Sequence, residues 1–113
     1  MKSIKQIVDE YNKGRLPDEE PITNNAIANA TLFQDTLKTN GITGYTVVPS
    51  SFGTIYFEWD TKDYTLGVAF GDDNKINLEH TVKEPFEFFL ERYDLNDENV
   101  PEQLIELIKD IVK

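Results

Sequence analysis

The sequence predicts one α+β domain over residues 1-113: a four-stranded antiparallel meander with two N-terminal and two C-terminal helices, order α-α-β-β-β-β-α-α. Three observations carry this. Residues 54–60, 64–70 and 76–82 alternate apolar and polar, the period of a half-buried strand. Residues 4–11, 26–37, 86–93 and 100–111 repeat apolar positions every three to four residues, the period of a helix. The turns between the alternating runs are short, which favours antiparallel neighbours. A chain of 113 residues with seven Phe, five Tyr and one Trp is long enough for one core without disulfides or metals.

In chain order, Ser3 is a cap for a first helix whose Ile4, Ile7, Val8 and Tyr11 share a face. Gly14 reads as its C′ stop. Thr23 or Asn24 caps a second helix with Ala26, Ala30, Phe33 and Leu37 as its inner stripe, ended by Asn40-Gly41. Tyr45–Val48 is a short strand closed by Pro49. Gly53–Asp60 is the central strand, with Ile55, Phe57 and Trp59 on one face. In the third strand Gly67 and Ala69 leave the outer face nearly bare, and the ring of Tyr56 is expected to pack over Gly67. Gly71-Asp72-Asp73-Asn74 is a turn, and Ile76, Leu78, His80 and Val82 line one side of the fourth strand. Pro85 opens a third helix with Phe86, Phe89, Leu90 and Tyr93 on one face, which leaves Phe88 off the stripe. Asn99 caps the last helix, Glu102 completes a capping box, and Val100, Leu104, Leu107, Ile108 and Ile111 form its buried side.

Composition excludes several chemistries. The net charge of −10 opposes direct binding to nucleic acid or an anionic membrane, which requires Lys and Arg. It favours a basic partner. The absence of cysteine removes disulfides, thiol catalysis and thiolate metal sites. The stretch from Met1 to Ile7 has no apolar signal core, so the expected location is cytoplasmic.

Candidate sites fail on spacing. Asp60-Thr61-Lys62 is an acid-x-Lys triplet of the kind found in metal-dependent nucleases, but no acid lies between Gly41 and Phe57 to share the ion. A calcium loop starting at Asp94 has Asn99 where glycine is needed and Ile105 where the bidentate glutamate is needed; one starting at Asp72 ends on Lys83. His80 is the single histidine and falls among Leu78 and Val82, the place of a half-buried, hydrogen-bonded structural residue. No metal or other cofactor is expected.

The charge distribution is more informative. Residues 84–110 hold nine acids and two bases, a balance of −7. Glu102, Glu106 and Asp110 form a carboxylate row along one helix face. This row, with Glu91 and Glu98 as further rim charges and Phe88 as an aromatic anchor, is the candidate partner-binding site. Phe52, in a turn, is a second candidate for exposure.

The strand Gly53-Thr54-Ile55-Tyr56-Phe57-Glu58-Trp59, followed by a turn and Leu66-Gly67-Val68-Ala69-Phe70, resembles a pattern in small uncharacterised bacterial and phage proteins, where a Gly-x-Ile-x-x-Glu-Trp strand precedes a second strand. The resemblance implies an accessory or mobile-element protein and transfers no catalytic residue. The expected function is a small acidic, non-enzymatic binding or inhibitor protein of the phage anti-defence, immunity or antitoxin type. It would dock on a basic partner such as a nucleic-acid-binding enzyme, as a nucleic-acid mimic. The alternatives are a structural domain that self-associates, as a homodimer, and an enzyme using Glu58 or Asp60 with His80.

Overall fold

The computed structural model describes residues 3–112; Met1 and Lys2, with which the N-terminal stretch read above begins, and Lys113 lie outside it. The elements are α1 (Ile4–Gly14), α2 (Asn24–Thr39), β1 (Thr46–Pro49), β2 (Ile55–Asp60), β3 (Tyr64–Phe70), β4 (Lys75–Lys83), β5 (Phe86–Asp94) and α3 (Val100–Val112). The α+β class and the antiparallel meander stand. The detail differs: the sheet has five strands in the order β1-β2-β3-β4-β5, and the described residues contain three helices.

The difference lies in one segment, Phe86–Asp94, expected as a helix and found as a strand. Phe86, Phe89, Leu90 and Tyr93 satisfy helical spacing, but Phe86, Phe88 and Leu90 satisfy the period of two equally well. Short apolar runs rich in aromatics fit either. Topology decides. β4 is nine residues long and buries Ile76 and Leu78, and its backbone needs a partner on the side away from β3. Glu84-Pro85, joined by a cis peptide bond, turns the chain straight back, and Lys83 pairs with Phe86.

The core lies between the sheet and the helical layer. Register carries the alternation of β2 across the sheet: Phe57 is beside Val68, which is beside Leu78. All three are buried. α1 packs on α2 and β1, α2 on β2 and β3, and α3 on α2. Ala26, Ala30, Phe33 and Leu37 are buried as expected from the stripe. Phe33 meets the rings of Phe57 and Phe70 at centroid distances of 5.0 and 4.9 Å. Trp59 closes one end, its indole N–H donating to the Thr43 carbonyl at 2.9 Å.

The caps of the first two helices hold, whereas among the described residues no bond joins Asn99 and Glu102 in the expected capping box. Ser3 caps α1 through a capping box with Gln6, and Thr23 caps α2. Gly14 is the last helical residue of α1, and Arg15 leaves the helix in an extended conformation. At the start of α3 the Asp97 carboxylate accepts from the Asn99 N–H at 3.0 Å, while the Asn99 carbonyl accepts from the Gln103 N–H at 3.1 Å. Val100, Leu104, Ile105 and Ile108 are the buried residues of α3; Leu107 and Ile111 are half-buried. A Cβ added to Gly67 would lie 4.0 Å from Tyr56 Cδ1, the expected aromatic cover.

Candidate functional site

β5 is the last strand of the sheet, and among the described residues no strand pairs with its far edge. Its alternation places Phe86, Phe88 and Leu90 on the outer sheet face, beside Lys83, Thr81 and Glu79 of β4. Glu87, Phe89, Glu91 and Tyr93 point to the inner, helix-bearing face. Tyr93 lies beside buried Ile76, and Phe89 stacks on His80 at 5.8 Å. Residues 86 to 92 are all exposed. Phe86 is 73% accessible, Leu90 60%, Phe88 52% and Phe89 47%. Single exposed hydrophobics need no explanation, whereas Phe86, Phe88 and Leu90 in a row on one face form a patch that water solvates poorly.

Carboxylates border this patch on both faces. On the outer face, Glu79 sits directly beside Leu90, and Glu58 lies two strands further in, with Gly67 between it and Glu79. Tyr56, Glu58, Asp60, Gly67, Glu79 and Thr81 enclose a shallow hollow of about 220 Å³. Asp60, one of its lining residues, is bonded by Lys83 at 3.1 Å. Glu58 and Glu79 are exposed and form no ion pair with the described residues. On the inner face Glu87 and Glu91 flank Phe89. The Tyr93 hydroxyl donates to the Glu91 carboxylate. Burial, then that bond and the Glu91 charge, push the Tyr93 phenol up to about 12.

The predicted site residues do not form one surface. Phe88 is exposed, but on the outer sheet face. Glu91 lies on the inner face of the same strand. Glu98 is exposed in the turn before α3, and Glu102, Glu106 and Asp110 are exposed on α3, in the layer on the other side of the sheet. Glu102 and Glu106 share a shallow recess with Thr36 and Asn40 at the end of α2. Reasoning from a helix at 86–93 missed Phe86, Leu90 and Glu79 as neighbours of the anchor on the outer face, and Glu87 beside it on the inner one. The signal that finds them is the two-residue spacing of Phe86, Phe88 and Leu90. Phe52 is 79% accessible, at a turn held to the α1–α2 connection by a bridge with Glu20.

The residues considered for catalysis do not converge. Register puts His80 on the inner face with Leu66 and Trp59, and Glu58 and Asp60 on the outer face. His80 is half-buried, and its contacts are rings: Phe89 stacked on it and Tyr64 edge-on at 5.9 Å.

The acidic turns are occupied internally. Asp72 accepts from Thr23 Oγ1 at 2.7 Å, which ties the β3–β4 turn to the start of α2. Asp73 pairs with Arg92 at 3.3 Å. Asp94 accepts from Lys75 at 2.7 Å, which holds its carboxyl below the ordinary range, helped by the Asn96 N–H. Among the described residues no three His, Asp or Glu side chains cluster closely enough to hold a metal ion, and no helix is long and apolar enough to cross a membrane. Comparison with protein-family models, with curated proteins and with solved structures finds no match to the chain.

Proposed function

We propose that this chain is a small acidic binding protein, without catalysis of its own, that docks on a basic protein partner and blocks it. Inhibitors, immunity proteins and antitoxins directed at nucleic-acid-binding enzymes work in this manner, with carboxylates standing where phosphates would. One observation supports the reading above the others: Phe86, Phe88 and Leu90 stand exposed in a row along a free sheet edge, with the exposed Glu79 beside Leu90 and Glu87 and Glu91 on the other face of the same strand. Apolar anchors inside a charged rim are the arrangement from which protein interfaces draw affinity and partner choice. The carboxylates of α3 act from further away. They add to the field of a chain with net charge −10, and such a field raises the rate of encounter with a cationic partner more than it strengthens the contact.

The experiment is capture of partners from a host lysate at low salt, followed by salt elution. Phe88→Ser/Leu90→Ser should abolish capture. Glu102→Lys/Glu106→Lys should weaken it without abolishing it. Capture indifferent to salt and to both double variants would end the proposal. The free edge of β5 also favours a second reading, self-association through that edge. A monomer by light scattering at high concentration removes it.

A further inference from the structure

The two edges of the sheet are built differently. β1 is four residues long, ends on Pro49 and packs against α1. Shortness, a proline and a covering element are the usual devices that stop an edge strand from pairing. β5 has none of these: it runs nine residues without proline, and its first seven are exposed. Its guard is charge: on the inner face both charges of the exposed run are negative, while the one cation of the strand, Arg92, lies on the outer face and is paired with Asp73. Glu87 and Glu91 stand on the same face with Phe89 between them, four residues and roughly 13 Å apart along the strand.

That guard acts against a second copy. In an antiparallel pair of β5 strands centred on Phe89, each Glu87 faces the other chain's Glu91, and like charges directly opposite destabilise a sheet. Centring the pair on Leu90 moves the two Glu91 carboxylates to diagonal neighbours. In either register two chains of net charge −10 meet. The same carboxylates favour a strand that carries cations.

We propose that β5 receives an added antiparallel strand from a basic partner. The added segment carries two lysines or arginines four residues apart, facing Glu87 and Glu91. Apolar residues between them lie on the other face, against Phe88 and Leu90. Backbone hydrogen bonds along the edge supply sequence-independent affinity, and the alternating side chains supply the choice of partner. This deepens the docking reading above and rests on it, adding the mode of docking and the chemistry of the segment.

The test uses the full chain, ¹⁵N-labelled, titrated with the peptide Thr-Val-Lys-Val-Thr-Val-Lys-Val-Thr. Expected are saturable shifts confined to β4 and β5 and slowed exchange of β5 amides. The same peptide with glutamate at both lysine positions should bind roughly tenfold more weakly or worse. On the Glu87→Lys/Glu91→Lys chain, whose substituted side chains are exposed and leave the core intact, the preference should reverse toward the glutamate peptide. Shifts on α3 instead of β5, no shifts, or no reversal would overturn strand addition. So would dimerisation of the free chain through β5, which would make a second copy the occupant. If lysate capture stays salt-sensitive while the peptide fails, docking stands and strand addition falls. If the peptide binds as described while lysate capture ignores salt and the double variants, the blocking function falls and the edge remains a receptor for basic strands.

Discussion

Gly53→Ala should be the most damaging single-methyl change in a turn of this protein. Gly53 has φ +78°, in the left-handed region. An L-residue there costs about 1–2 kcal/mol. The added Cβ would also lie 3.0 Å from the Pro21 carbonyl oxygen and 3.2 Å from Glu20 Cβ. Neither atom yields easily. Glu20 donates its N–H to the Ser51 carbonyl at 2.8 Å and bridges Phe52, so the α1–α2 connection and the β1–β2 turn are pinned together where the methyl must fit. Crowding of this kind adds about 1–3 kcal/mol. Gly41 is the internal control, with φ +70° and nothing within 4 Å of an added Cβ, so Gly41→Ala carries the conformational cost alone. In urea denaturation followed by Trp59 fluorescence, Gly53→Ala should lose about 2–5 kcal/mol and Gly41→Ala about 1–2 kcal/mol, with equal m-values. Equal losses for the two variants would refute the claim that this turn is locked against the connection at Glu20-Pro21.

Phe57 is fully buried with the rings of Phe33, Tyr45 and Phe70 around it. Phe57→Ala should therefore cost about 3–5 kcal/mol in the same denaturation assay, and a loss below about 1 kcal/mol would mean the ring cluster is not the centre of the core. Tyr93 is raised from its ordinary value of 10.0 to about 12. A raised folded pKa favours the protonated phenol in the native state, so its stabilisation is complete below pH 10 and is lost as pH rises through about 12. Glu91→Gln removes the neighbouring charge and should lower the Tyr93 midpoint in a ¹³C-tyrosine NMR titration; an unmoved midpoint would show that Glu91 does not act on the phenol.

Much of the fold was legible because local and tertiary preferences agree. Ile55, Phe57 and Trp59 alternate, and the structure buries all three. Thr23 precedes a stripe of Ala26, Ala30, Phe33 and Leu37, and the helix starts and packs there. Phe86–Asp94 was misread because its local spacing is ambiguous and the deciding term, the unpaired side of β4, is a tertiary one. Phe88, left off the helical stripe, was the residue that disagreed with a helix. The error had a consequence for the site. With a helix at 86–93, Phe88 and the α3 carboxylates look like neighbours; with a strand, the sheet stands between them. Asn12, whose side chain brackets Ile22 by donating to its carbonyl at 3.2 Å and accepting from its N–H at 3.0 Å, was invisible for a related reason. No periodicity announces a side chain that stands in for a strand partner ten residues away.

The measurement that bears most directly on the account is the binding kinetics of a captured basic partner against two double variants. Phe88→Ser/Leu90→Ser alters the β5 edge and Glu102→Lys/Glu106→Lys alters the α3 row; all four residues are exposed, so both chains should fold. If β5 is the contact and α3 contributes only to the field, the first variant raises the dissociation rate beyond detection. The second lowers the association rate, with an effect that fades as salt is added. The opposite pattern, binding lost with the α3 substitutions and untouched by those on β5, would contradict the account and move the docking surface to the helical layer.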